Sequence, residues 1–86
     1  MMIQEKEKLG LLFVKEYYDI SRKDTLSWFK YGVHGSAVAQ KLNISESDYP
    51  EIVDYVFEKN WIEDVPNERL GQFRITNDGI KEIERK

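Results

Sequence analysis

The feature that most constrains the fold of this sequence is one complete apolar helical face in its second half. The apolar residues recur at i, i+3, i+4, i+7 and i+8, the spacing of one side of an α-helix: Tyr49, Ile52, Val53, Val56 and Phe57. The chain has 86 residues and no cysteine, so its stability has to come from buried apolar surface and not from disulfides. The sequence therefore predicts a single domain, residues 1–86, with this helix in its core.

Polar residues mark the ends of this helix. Ser45 and Asp48 have the spacing of a capping box, and Pro50 restricts where the first turn begins, so we expect a start near Ser47. Asn60 predicts a left-handed stop at the other end. The inward residues are expected to pack together: Ile52, Val53, Val56 and Phe57 against Val38, Leu42, Trp61 and Ile80.

A shorter helix is predicted just upstream, from Ala37 to Leu42, with Ser36 as its N-cap. A three-residue turn, Asn43–Ser45, joins it to the longer helix. Residues 31–35 contain two glycines and are expected to form an extended or turning link.

The segment after Asn60 predicts a hairpin and a last helix. Trp61–Val65 and Gln72–Ile75 have strand character, and Pro66–Gly71 is a turn-rich loop between them. Thr76 is placed to cap a final helix, Asn77–Arg85.

The first helix is expected to run from Ile3 to Ile20, with an inward face made of Leu9, Leu12, Phe13, Tyr17 and Ile20. Gly10 weakens it by about 1 kcal/mol relative to alanine. Further apolar residues on a second side predict two packing neighbours, one of them a second copy, and hence a homodimer through the first and last helices.

An aromatic cluster follows the first helix: Trp28, Phe29 and Tyr31. It has three interpretations, which are a cover over the core, a dimer contact and a cleft for a small ligand.

Three fragments resemble, in the same order, the winged helix-turn-helix domains of bacterial MarR-, PadR- and ArsR-like regulators. Val38–Ser45 resembles their helix with a Leu-Gly-Ile-Ser turn, Ile52–Glu63 their recognition-helix ending, and Phe73–Gly79 the strand, threonine cap and glycine after the wing. The resemblance implies a mostly α fold with a small β-hairpin, of α+β class. The helix-turn-helix would cover residues 36–59, the wing 61–75 and the last helix 76–85.

The resemblance also implies a DNA-binding transcriptional regulator, whose recognition helix enters the major groove while the wing reaches the backbone or the minor groove. Carried over to this sequence, the DNA-binding candidates lie at both ends of the short helix, near the start of the longer helix and in the hairpin. They are Ser36, Lys41, Ser45, Ser47, Arg69 and Arg74.

The charge pattern supports an alternative, in which the same helix binds a basic protein partner and no DNA. Residues 45–59 contain five acids and one base, and the net charge of the chain is -3. Such a surface repels phosphates, which Lys and Arg normally neutralise. The candidates for protein interaction are Glu46, Glu51, Asp54, Tyr55 and Glu58.

Catalytic, metal and cofactor sites are not predicted, so we do not expect an enzyme. The single histidine, His34, has no second histidine or cysteine to form a metal site with, and no nucleophile–base pair is visible. The longest apolar run, Leu11–Val14, is too short for a membrane span, and the N-terminus lacks a signal-peptide apolar segment. We therefore expect a cytoplasmic protein without membrane contact.

Overall fold

The computed structural model describes residues 3–23, 32–65 and 71–85 of the chain. These residues form four helices and three strands, in the order α1 (Ile3–Lys23), β1 (Val33–His34), α2 (Gly35–Lys41), α3 (Tyr49–Glu58), β2 (Ile62–Asp64), β3 (Gln72–Ile75) and α4 (Asn77–Glu84). The described part is thus mostly helical with a small antiparallel sheet, which confirms the predicted α+β class. The predicted aromatic cluster (Trp28, Phe29 and Tyr31) and Arg69 lie outside the described residues.

The sheet has the strand order β1-β3-β2, with β3 antiparallel to both neighbours. The β2–β3 hairpin was predicted, and Ile62 pairs with Ile75 at its base. Strand β1 was not predicted. Its two residues, Val33 and His34, pair with Phe73 and Gln72, so the link between the two glycines is the third strand of the sheet.

Strand β1 leads directly into α2, which changes the predicted start of that helix. Ser36 is not the N-cap, because α2 begins at Gly35 and His34 occupies the cap position without a side-chain hydrogen bond. The amide of Gly35 donates instead to the carbonyl oxygen of Gly71, at 2.9 Å. A Cβ on Gly35 would lie 2.2 Å from the Tyr49 hydroxyl, so the approach of α2 to α3 depends on this glycine.

The junction between α3 and α4 follows the prediction closely. Asn60 has a φ of 62°, the expected left-handed stop. Thr76 caps α4 by accepting from the amide of Gly79 at 3.0 Å. Its hydroxyl also donates to the carbonyl oxygen of Asn60, and one side chain therefore connects the end of α3 to the start of α4.

The core groups the α3 face with its predicted partners. Ile52 and Val56 are fully buried, and Val53 and Phe57 are partly buried against the same cluster. Their predicted neighbours belong to that cluster too: Val38, Leu42, Trp61 and Ile80.

Helix α1 is longer than predicted and its inward face is rotated. Phe13 and Val14 are completely buried, whereas Leu12, predicted to face inward, is 42% exposed. Most apolar residues of α1 pack within the same chain, where the helix contacts α3, α4 and β3. Leu12 and Ile3 stay exposed, and the homodimer through the first and last helices stays a prediction.

Gly10, expected only to weaken α1, lies where α1 approaches α3. A Cβ at this position would be 3.0 Å from Cδ1 of Tyr55 and 3.2 Å from Cγ1 of Val56. The missing side chain thus lets the two helices pack closely, and this contact compensates for the poor helix propensity of glycine.

We predict that Gly10→Val lowers the free energy of unfolding by about 1–3 kcal/mol, because the added methyl groups overpack the α1–α3 contact. Glu5→Val, at an exposed position of the same helix, is the control and should change it by about 0.5 kcal/mol. Urea denaturation measures both, and equal effects of the two variants would contradict the close approach.

Tyr17 attaches β1 to the first helix. It is buried, and its hydroxyl donates to the carbonyl oxygen of Val33 at 2.8 Å. Burial, followed by the nearby Tyr49, raises the pKa of Tyr17 above its ordinary value of 10.0. The neutral phenol is therefore favoured in the folded state, and its contribution to stability is present below the unfolded pKa and lost as the pH rises beyond it.

We predict that Tyr17→Phe costs about 1 kcal/mol near pH 7, through loss of the hydrogen bond to Val33. The variant should also lose less stability than the wild type when the pH is raised above about 10. The measurement is urea denaturation across alkaline pH, with Tyr18→Phe as control, because the Tyr18 hydroxyl donates to the carboxylate of Glu84 at the surface. Parallel alkaline curves for wild type and Tyr17→Phe would refute the assignment.

Candidate functional site

The turn between α2 and α3 fixes the two helices that the sequence resemblance singles out. Asn43 has a φ of 60°, and the buried Ile44 follows it. The amide of Ile44 donates to the carbonyl oxygen of Ala39 at 2.9 Å. The chain is thus folded back at α2's end, and the start of α3 lies beside α2.

Ser45 organises the first turn before α3. Its hydroxyl accepts from the amide of Asp48 at 3.2 Å, and its carbonyl oxygen accepts from the amides of Asp48 and Tyr49. The hydroxyl of Ser47 lies 3.2 Å from that of Ser45. The predicted bond between Ser45 and Asp48 is present, but it closes a turn before the helix. Helix α3 begins at Tyr49, two residues after the expected Ser47, and its N-cap is Asp48, without a side-chain hydrogen bond.

Polar side chains, one of them the carboxylate of Glu46, surround this turn. Ser36, Gln40 and Glu46 line a shallow cavity of about 120 Å³, together with the less polar Ala39, Ile44 and Tyr49. We define the corner surface as the exposed, uncharged polar residues of α2 and the turn: Ser36, Gln40, Asn43, Ser45 and Ser47. The sequence pointed to its three serines. Gln40 and Asn43 were missed, because isolated polar residues in a short helix and a turn resemble ordinary solvated positions.

Lys41 and Arg74, two of the predicted DNA contacts, form ion pairs within the chain. The Lys41 ammonium lies 2.5 Å from the carboxylate of Glu16 on α1. Arg74 lies in β3 directly across from Glu63, with 3.6 Å between guanidinium and carboxylate, and its side chain is 18% exposed. Both charges are thus partly neutralised.

Carboxylates occupy a different side of α3. Glu51, Asp54 and Glu58, which we call the acidic stripe, follow helical spacing, and the last two are exposed. Glu46 is separate from them, beside the corner cavity. The structure therefore divides the four predicted protein-interaction carboxylates between two places.

Tyr55 also departs from its expected place on the open surface. It is half-buried against Gly10, its ring is 5.9 Å from that of Trp61, and the Lys59 ammonium is 5.6 Å from its ring centre. Burial first, and then the carboxylates of Glu7 and Glu82, raise the pKa of Tyr55. Tyr55 mainly packs α1 against α3.

The described residues contain no group of three or more His, Cys, Asp or Glu side chains placed to hold a metal ion. His34 is exposed at the end of β1. None of the described helices is both long and apolar enough to cross a membrane.

Comparisons with protein-family models, with curated proteins and with solved structures find no match to this chain.

We predict that Ser45→Ala lowers the free energy of unfolding by about 0.5–2 kcal/mol, because the amide of Asp48 loses its side-chain acceptor. Ser47→Ala removes a neighbouring hydroxyl without removing that acceptor, and should cost about 0.5 kcal/mol or less. Thermal and urea unfolding measure both variants. The reverse order would show that Ser47, and not Ser45, stabilises the turn.

Proposed function

We propose that this chain is a winged helix-turn-helix domain that binds DNA as a transcriptional regulator. The order of α2, turn, α3, hairpin and α4 supports this proposal. Strand β1 supports it further, because pairing with β3 connects the hairpin to the start of α2. The helix pair, α2 and α3, and the β2–β3 hairpin then form one unit that can contact a DNA duplex at two places.

The corner surface is the observation that carries the DNA proposal. Serine, asparagine and glutamine side chains are common donors to phosphate oxygens, and glutamine also pairs with adenine in the major groove. In this proposal Ser36, Ser45 and Ser47 contact the backbone, while Gln40 and Asn43 contact base edges. The acidic stripe lies further along α3, whereas the carboxylate of Glu46 lines the corner cavity together with Ser36 and Gln40.

The ion pairs imply weak binding to DNA of mixed sequence. Phosphate neutralisation by Lys and Arg supplies most non-specific affinity, yet Lys41 already faces Glu16 and Arg74 faces Glu63. Arg69, between β2 and β3 in the sequence, is the remaining basic candidate of the predicted wing. In this proposal, hydrogen bonds from the corner surface therefore supply most of the DNA affinity, and charge interactions supply a smaller share.

The acidic stripe favours a second candidate function, the binding of a basic protein segment along α3. Asp54 and Glu58 are both exposed and lie on one side of the helix. Complementary charge mainly accelerates association, so this candidate predicts a complex whose on-rate falls steeply with salt.

We predict that the wild type binds a fluorescent mixed-sequence duplex with a Kd of about 10⁻⁴–10⁻⁶ M at physiological salt, and more tightly at low salt. Gln40→Glu should weaken this binding several-fold, because it places a carboxylate at the corner surface. Gln4→Glu makes the same change at an exposed position of α1 and should have little effect. Arg69→Ala should reduce the salt dependence by about one phosphate contact.

The same titration with a synthetic Lys-rich peptide examines the second candidate. Here Asp54→Asn with Glu58→Gln should slow association, and Gln40→Glu should not. Equal effects of Gln40→Glu and Gln4→Glu on duplex binding would remove the corner surface as the DNA site. Absence of duplex binding at high micromolar protein would remove DNA binding altogether.

A further inference from the structure

One ion pair, between α1 and α2, determines how much positive charge the proposed DNA-binding face carries. Lys41 is the only Lys or Arg among residues 32–58, which include β1, α2, the turn and α3. Its ammonium is 2.5 Å from the carboxylate of Glu16. The single basic side chain of this region is therefore neutralised by a residue of another helix.

The two partners differ in their freedom to move. The side chain of Glu16 is 16% exposed, whereas that of Lys41 is 67% exposed. Both line a groove of about 210 Å³ between α1 and α2, which Asp19 and Lys23 also line. Asp19 is paired with Lys15, at 3.3 Å. The long, exposed lysine can turn away from the groove, while the carboxylate of Glu16 stays in place.

We infer that Glu16 is a positioning residue that competes with DNA phosphate for the ammonium of Lys41, an inference that rests on the proposed DNA-binding function. A phosphate contact by Lys41 requires its pair with Glu16 to break, which leaves the carboxylate of Glu16 without its counter-charge in a mostly enclosed position. Breaking the pair offsets much of the gain from the phosphate contact. Glu16 thus limits the contribution that Lys41, beside the corner surface on α2, makes to DNA affinity.

The test is a salt titration of binding to the mixed-sequence duplex by the wild type and by Glu16→Gln. Glu16→Gln should bind roughly three- to tenfold more tightly at low salt, and the slope of log K against log salt should steepen by about 0.9, the value for one phosphate contact. Glu5→Gln removes one charge from an exposed position of the same helix and serves as the matched control. The double variant Glu16→Gln with Lys41→Gln should lose both the gain in affinity and the steeper slope.

A second measurement detects the ion pair without DNA. The rate at which an amine-reactive reagent labels Lys41, followed by mass spectrometry, should rise in Glu16→Gln and stay at the wild-type value in Glu5→Gln. Circular dichroism shows whether each variant is folded.

The outcomes separate the inference from the proposed function. If Glu16→Gln and Glu5→Gln bind DNA equally, or if Lys41 is labelled equally in both, the pair does not control Lys41 and the inference is wrong, while DNA binding stands. If no variant binds the duplex at high micromolar protein, the inference and the DNA-binding function are both wrong.

Discussion

The described structure depends most on the burial of one side of α1. Phe13 and Val14 are completely excluded from solvent, and α1 contacts α3, α4 and β3. Full burial of side chains of this size is worth about 1.5–3 kcal/mol each, a large share of the stability of a small domain. Gly10 contributes to this arrangement, since a side chain there would be in tight contact with Tyr55 and Val56 of α3.

Much of this fold could be predicted from local patterns. The α3 face gives a strong helical period, and Asn60 and Thr76 each have a conformation or hydrogen bond that few other residues provide. Strand β1 could not be predicted, since two residues are too few to show alternation and its pairing is decided by Phe73, forty residues away along the chain. The sequence also does not show which side of α1 faces the core. Leu12 and Val14 are equally apolar in the sequence, and only the position of α3 decides which of them is buried.

The candidate site was less predictable, because its properties come from pairings between distant residues. Ser45 and Asp48 have a recognisable spacing, so the hydrogen bond between them could be predicted from the sequence, although it closes the turn before α3 and does not cap the helix. The ion-pair partner of Lys41 could not be predicted in this way, because Glu16 is 25 residues away and belongs to a helix with several other carboxylates. Tyr55 was assigned to the open surface on its helical position, but the absence of a side chain at Gly10 gives its ring a place to pack. A charge or an aromatic ring in the sequence thus indicates a capability, and the fold decides whether it is still available to a ligand.

Strand β3 is the only described strand that pairs with both others, and this has a consequence for local opening of the domain. Phe73 faces Val33 on one side and Asp64 on the other, and its ring is 5.2 Å from that of Phe57 on α3. A fluctuation that releases β3 therefore separates the hairpin, the start of α2 and part of the α3 packing together. The domain should accordingly open as one cooperative unit.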